Sequence, residues 1–256
     1  MSRILKDIVF AKRADLTRIL SANQTETEGA PHIPFRKALL HSPAPALICE
    51  IKKASPSQGV ICEDFDPQSI ARDYSNGGAT ALSVLTDERF FQGAPENVSL
   101  AKSACGLPVL CKDFFIDPRQ VLWAKRIGAD ALLLILRILS DAQAGELLAA
   151  SVEQGLDVLV ETHDENDIER AVKLGATIIG VNNRDLDTFA VNLETSERLR
   201  DMIPADALAI AESGIEGRDD VRRLQAAGYN NFLIGGSLMR ATDKKQAVRL
   251  LRGEEC

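Results

Sequence analysis

The chain has 256 residues, of which 45% are hydrophobic and 26% charged, with a formal net charge of −7. That is the composition of a soluble globular protein of one large or two small domains with apolar material for a substantial core. It excludes a general nucleic-acid binder, which needs a basic face, but leaves room for a small anionic ligand in a local positive pocket.

Residues 1–45 read differently from the rest. Ile4, Ile8, Leu16, Ile19 and Leu20 are interleaved with Lys6, Asp7, Lys12, Arg13 and Arg18, the pattern of an amphipathic helix. Gln24–Pro34 is polar with two prolines and reads as a loop. Phe35–Leu40 reads as a second short helix, closed by Ser42-Pro43-Ala44-Pro45. The segment is expected to be a helical extension, a lid or plug ahead of the main fold.

From Ala46 onward, eight short runs rich in Val, Ile and Leu recur: Ala46–Lys52, Ala81–Leu85, Pro108–Lys112, Ala131–Leu136, Leu156–Glu161, Thr177–Asn182, Leu208–Glu212 and Asn231–Ile234. They are near-continuous rather than alternating, as expected of parallel strands covered on both faces. Their spacing of roughly 20–35 residues is the size of a strand plus a crossover helix. Helical segments fill the gaps, among them Pro67–Asn76, Pro118–Ile127, Ala142–Glu153, Glu165–Leu174, Asn192–Met202 and Gly217–Ala227. Glycines just before the next strand, at Gly77-Gly78, Gly128, Gly175 and Gly228, suit left-handed helix caps. Eight β/α units with no G-x-G-x-x-G and no Walker motif point to an α/β fold, a closed (β/α)8 TIM barrel of one domain over 1–256, rather than a doubly wound sheet.

The five cysteines, Cys49, Cys62, Cys105, Cys111 and Cys256, are odd in number and form no CxxC pair. They read as reduced thiols of a cytoplasmic protein. His32, His41 and His163 are scattered without metal-ligand spacing. The chain shows no signal h-region at its start, and its longest apolar run, Ala131–Leu136, is bounded by Asp130 and Arg137, so no membrane span is expected.

In such a barrel the chemistry sits at the C-terminal strand ends. Those ends carry Glu50 and Lys52, then Lys112, Glu161, Asn182, Glu212-Ser213-Gly214 and Gly235-Gly236-Ser237. Glu50 and Lys52, two apart on a strand, share a face. Lys52 and Lys112, on odd-numbered neighbouring strands, are placed to share an inward layer. Burial and a neighbouring cation would each pull a lysine down in pKa, so that one stays charged to bind a carboxylate while the other gives up a proton. Glu161 is a candidate general acid or base, Asn182 can position a hydroxyl, and Glu50 would hold a lysine in place. Glycines after the seventh and eighth strands, with a short helix from Ser237 to Arg240, make the usual barrel phosphate site, and Ser55-Pro56-Ser57 would cap it. Phe91, Phe114, Leu133 and Leu186 would line a slot for a flat aromatic ring.

Taken together, Glu50-Ile-Lys-Lys-Ala-Ser-Pro-Ser57, Leu82-Ser-Val-Leu-Thr86 with Phe91-Gln-Gly93, Pro108–Phe114, Val160–His163, Gly180–Leu186, Ala211–Gly214 and Phe232–Gly235 resemble the indole-3-glycerol-phosphate synthase family of tryptophan biosynthesis. The resemblance implies a lyase that closes the indole ring of 1-(2-carboxyphenylamino)-1-deoxyribulose 5-phosphate, releasing carbon dioxide and water, with no cofactor and no metal. By position, Lys112 resembles the general acid that protonates the ribulose carbonyl. Lys52 resembles the group on the substrate carboxylate, and Glu161 the acid–base residue of dehydration. Glu50 and Asn182 resemble supporting groups, and Arg184 and Ser213 also match site positions. Ser55, Gly214, Gly235 and Gly236 match the phosphate cradle; Phe91, Phe114, Leu133 and Leu186 match the anthranilate pocket. Gly236 departs from the Ser of many members, and Lys-Lys-Ala from a more frequent basic lead into Ser-Pro-Ser. The implied partners are a phosphorylated aromatic amine and other enzymes of the pathway; a cytoplasmic monomer is expected, with no nucleic acid and no membrane.

Two competing readings are a Schiff-base aldolase built on Lys112 and a barrel that senses an aryl-amino sugar phosphate without turning it over. The sister isomerase of the pathway fits less well, because its Cys and Asp pair is not what ends the first strand.

Overall fold

The computed structural model describes residues 3–21 and 31–254. Most of the expected Gln24–Pro34 loop, and Cys256, lie outside the described residues.

The eight apolar runs form eight parallel strands: β1 (Ala46–Ile51), β2 (Ala81–Leu85), β3 (Val109–Lys112), β4 (Ala131–Ile135), β5 (Asp157–Thr162), β6 (Ile178–Asn182), β7 (Leu208–Glu212) and β8 (Asn231–Ile234). Each pairs with its neighbours, and β1 closes the ring by pairing with both β2 and β8, Ile48 opposite Ala81 and Ala46 opposite Asn231. Strand ends fall within a residue of the expected ones because each run stops where the chain first needs a polar or turn residue. Every residue of β1, β2, β4, β6 and β8 is buried, as a parallel sheet filled within and covered without requires.

Helices α1 (Arg3–Ser21) and α2 (Phe35–His41) precede the barrel. The crossovers are α3 (Pro67–Asn76), α4 (Glu96–Cys105), α5 (Arg119–Arg126), α6 (Asp141–Gln154), α7 (Glu165–Lys173), α8 (Glu194–Leu199) and α9 (Arg218–Ala226). After β8 come the short α10 (Gly236–Arg240) and α11 (Lys244–Arg252). Side chains cap several of these, as where Asp66 accepts from the Gln68 N–H and Ser140 forms a capping box with Gln143. Gly78, Gly128, Gly175 and Gly228 take the left-handed conformation, but Gly77 does not. Gly77 is small for another reason: a Cβ there would strike the Lys245 carbonyl and Val248 on α11.

Two features depart from the sequence reading. The Ser55-Pro56-Ser57 loop is the tip of a small hairpin pairing Ala54–Ser55 with Gly59–Val60. α4 and α11 are helices that the sequence did not mark out. Among the described residues, no helix is long and apolar enough to cross a membrane.

The N-terminal extension grips both ends of the barrel. At the bottom, the buried Asp130 accepts from the Ile33 N–H at 2.7 Å, the Val109 N–H at 2.9 Å and Lys102 Nζ at 2.8 Å. Asp157 accepts from the Arg36 N–H at 2.8 Å. At the top, α1 buries Leu5, Ile8 and Val9 against the barrel core. Lys12 on α1 sits between Asp87, at 2.8 Å, and Asp113, at 2.6 Å.

Candidate active site

One cavity opens at the C-terminal end of the barrel under α1. Its wall contains every site residue expected from the sequence. They are Glu50, Lys52, Lys112, Glu161, Asn182 and Ser213; Arg184, Phe91, Phe114, Leu133 and Leu186; and Ser55, Gly214, Gly235 and Gly236. Ile4, Leu5 and Ile8 of α1 roof it.

Lys52, Lys112, Glu50 and Glu161 line its floor, and the buried Glu212 carboxylate lies against Lys112. Glu50, Glu161 and Glu212 are 3%, 2% and 1% exposed. Lys52 Nζ donates to Glu50 Oε1 at 2.5 Å. Lys112 Nζ lies 3.3 Å from Glu212 Oε2, 3.7 Å from Glu161 Oε2 and 3.8 Å from Glu50 Oε2. Glu50 therefore stands between the two lysines, one oxygen towards each.

This corrects the expected titration of Lys112. Burial does pull its ammonium down, but Glu212, Glu161 and Glu50 outweigh burial and raise it above an ordinary lysine. Lys112 is held as a charged ammonium at neutral pH, not as a neutral amine. Burial also raises Glu50, but Lys52 and Lys112 more than offset it and hold that carboxyl down.

The two remaining carboxylates diverge. Burial would raise Glu161, yet His163 and Lys112 hold it well below the ordinary range. Burial and the charge of Glu161 push Glu212 up to about 7, with Lys112 opposing. Like charges sharing one cation are driven apart in this way. Glu212 is the member of this cluster to which the sequence assigned no role. Its signal was present: it is the last residue of β7, as Glu161 is near the end of β5.

Two glycines make this convergence possible. A Cβ on Gly180 of β6 would overlap the Glu212 carboxylate, and one on Gly235 would overlap that of Glu50. Gly235, expected only as a bare N–H for phosphate, also gives Glu50 the room to turn towards the lysines.

The apolar side is equally defined. The Phe91 and Phe114 rings lie with centroids 6.1 Å apart, and Leu133 and Leu186 share their wall. Opposite them, Ser213 and Gly214 both take positive φ, 67° and 78°, in the loop after β7. A serine held left-handed is strained, and strain of this kind is kept where a site requires it. Asn183 fixes that turn by donating to the Ser213 carbonyl at 3.1 Å. Ser237 donates to the Ile215 carbonyl at 2.8 Å and ties the loop after β7 to the one after β8. Gly235, Gly236 and Ser55 complete this polar end. Gly236 also leaves space that the Arg240 guanidinium approaches, and Arg240 pairs with Glu216 at 2.7 Å.

Asn182 accepts from the Arg184 N–H at 2.9 Å, and Arg184 Nη1 donates to the Phe189 carbonyl at 3.1 Å. Both side chains are thereby oriented at the cavity edge. Burial pushes the Cys49 and Cys111 thiols up, so neither is a ready nucleophile.

A cavity with an aromatic slot at one end, a glycine- and serine-lined corner at the other, and a protonated lysine among carboxylates between them suits acid–base chemistry on an aryl sugar phosphate. Comparison with known proteins agrees. The family model described as indole-3-glycerol phosphate synthase matches residues 5–251. Indole-3-glycerol phosphate synthase 2 of Ralstonia nicotianae is 55% identical over 204 residues, covering 80% of this chain and 76% of that one. Indole-3-glycerol phosphate synthase of Acinetobacter baumannii is 46% identical over 258 residues, covering 98% and 96%. Among solved structures, thiamine phosphate pyrophosphorylase from Pyrococcus furiosus superposes with a TM-score of 0.60 at 17% identity, over 82% of this chain and 94% of that one, a likeness of fold alone.

Proposed function

Because the chain belongs to the indole-3-glycerol phosphate synthase family, we propose that the charged floor of the barrel mouth divides that family's ring closure among Lys112, Lys52, Glu161 and Glu212. The enzyme is a carbon–carbon lyase of tryptophan biosynthesis, taking 1-(2-carboxyphenylamino)-1-deoxyribulose 5-phosphate to indole-3-glycerol phosphate, carbon dioxide and water.

The substrate's aryl ring lies between Phe91, Phe114, Leu133 and Leu186, and its phosphate lies against Ser55, Gly214, Gly235 and Gly236. Lys52 and Arg184 meet the carboxylate. The ring carbon bearing that carboxylate attacks the ribulose carbonyl carbon; the carbonyl electrons move to oxygen, which takes a proton from Lys112 Nζ. Loss of carbon dioxide returns an electron pair to the ring. Dehydration then needs a base for a carbon-bound proton and an acid for the departing hydroxyl. Glu161, held ionised, is the base, and Glu212, neutral up to about pH 7, is the acid. Glu50 steers the lysines and Asn182 steers a substrate hydroxyl.

The observation that carries this reading is the Lys112 ammonium between three buried carboxylates. It supports proton donation over Schiff-base formation, which needs a free amine. Lys112→Ala should cost on the order of 100- to 10,000-fold in turnover, the range of a lost general acid, while a substrate analogue still binds. The assay follows indole fluorescence after mixing protein and substrate without metal. A covalent adduct on Lys112 trapped with borohydride overturns the assignment.

The same reading makes the protein a cytoplasmic monomer that exchanges intermediates with other enzymes of the pathway. Support comes from the cysteines, which are free thiols among the described residues.

A further inference from the structure

His163 takes no part in the chemistry above, yet its ring stands directly against the Glu161 carboxylate. It lies two residues after Glu161, just past the end of β5, and its side chain is 2% exposed. Nε2 is 3.3 Å from Glu161 Oε1, and Nδ1 is 3.7 Å from Asp167 Oδ2 on α7. The ring is at ion-pair distance from both carboxylates rather than in aligned hydrogen bonds with either. A neutral imidazole has one N–H and one lone pair. With a carboxylate oxygen facing each nitrogen, either neutral tautomer would point a lone pair at a negative charge inside the protein. Only the doubly protonated ring meets both faces with a positive edge.

The surroundings extend this pattern. Asp167 accepts from the backbone N–H of His163 at 3.2 Å and from Arg170 Nη1 at 3.2 Å. Arg170 is itself fixed by Asp141 and by the carbonyls of Leu136 and Leu139. From the surface inwards the charges alternate: Arg170, Asp167, His163, Glu161, Lys112. The opposing influences are burial and the nearby Arg137, and Arg137 is drawn aside by Asp164 at 3.5 Å. On the far side of Glu161 stand Asn182 of β6 and Lys112 of β3.

We propose that His163 is a positioning residue for the reaction, a buried cationic bridge between Asp167 and Glu161 that keeps the Glu161 carboxylate ionised and aimed at the barrel axis. It acts through Glu161 and does not touch substrate. Burial alone would discharge the ring, but Asp167 and Glu161 push it up to about 9. The bridge explains how a carboxylate 2% exposed stays a base while its neighbour Glu212 does not. It rests on the assignment of Glu161 made above.

Two measurements test it. The first is the nitrogen NMR spectrum of the histidine rings in the wild-type protein, tractable because the chain has three histidines. Both ring nitrogens of His163 should remain protonated through neutral pH and titrate near pH 9. A neutral tautomer at pH 7 overturns the proposal. The second is kinetic. In His163→Gln, kcat should fall on the order of 10- to 100-fold, the usual effect of removing the partner that orients a functional group. KM should stay nearly constant, and the acidic limb of kcat should move to higher pH as Glu161 loses its cation. Asp167→Asn should move that limb in the same direction by less, and it decides the matter if the Gln variant does not fold. An unchanged pH profile in both variants refutes the bridge. The ring spectrum is read without substrate, so a wild-type protein lacking turnover would sink the assigned reaction while leaving the bridge standing.

Discussion

Lys12→Met should detach α1 from the barrel and open the roof of the site. The Lys12 side chain is 6% exposed, and its partners Asp87 and Asp113 are 5% and 2% exposed. Removing one partner of a buried ion pair costs about 3–5 kcal/mol, because the remaining charge stays uncompensated. Here two carboxylates are left. Asp113 keeps donors from Thr86 at 2.7 Å and the Phe114 N–H at 2.6 Å, and Asp87 keeps the Phe90 N–H at 2.8 Å, which places the loss within that range rather than above it. Against this stands the docking of α1 through Leu5, Ile8 and Val9. Each contributes at most about 1.5–3 kcal/mol of apolar burial, opposed by an ordering cost of about 1–2 kcal/mol per backbone residue. The margin is small, so α1 should leave the rim while the barrel stays folded. The expected signature is rapid limited proteolysis and fast amide exchange in residues 3–21 with little change in the denaturation midpoint of the rest. KM should rise on the order of tenfold, equivalent to about 1.4 kcal/mol of lost contact with Ile4, Leu5 and Ile8. Neutralising both carboxylates in the same chain, with Asp87→Asn and Asp113→Asn, should restore much of the protection. A Lys12→Met protein with wild-type protection of α1 and wild-type KM would refute this account of the roof.

Glu212, raised from 4.5 to about 7, gives two pH effects. Its neutral form is favoured by the fold, so its contribution to stability is present below pH 4.5 and is lost as pH rises towards 7. Turnover should fall on the alkaline side of 7, and Glu212→Gln should lose kcat but no longer show that limb; a limb that survives in the Gln variant assigns it to another group. Gly180→Ala should drive the Glu212 carboxylate away from Lys112, lowering kcat and costing about 1–3 kcal/mol for overpacking, read by steady-state kinetics and thermal melting. Wild-type values for both would mean that the carboxylate has another place to go. Asp130→Ala, at the closed end of the barrel, strands the Lys102 ammonium and the Ile33 and Val109 N–H groups. It should cost about 3–5 kcal/mol in denaturant unfolding while KM stays constant, and a change in KM without a loss of stability would contradict the separation of the two barrel ends.

Particular elements show where sequence reading reached and where it stopped. The strands were legible because a parallel strand buried on both faces must be apolar along its whole length, a property of consecutive residues. The positions of Lys112, Glu161 and Asn182 were legible because barrel geometry turns the end of any strand into the rim of one cavity. α4 and α11 were not marked out, although each carries an apolar face, Val98 and Ala101 on α4 and Val248 and Leu251 on α11. Gly77 looked like a cap because nothing in its local sequence reveals that Lys245 and Val248 of α11 lie against it.

Local pattern plus one topological rule sufficed for the barrel and for the end of it that carries the chemistry, while Arg184 and Ser213 were assigned to that end through the family resemblance. How the residues of that end behave depends on contacts between distant strands. Lys112 is raised rather than lowered because Glu50, Glu161 and Glu212, on three other strands, come within 3.8 Å of its ammonium. Lys12 is a buried clasp rather than one more charge on an amphipathic helix because Asp87 and Asp113 lie beneath it. Charge–charge energy depends on distance through space and on burial, and neither is written in the separation of residues along the chain.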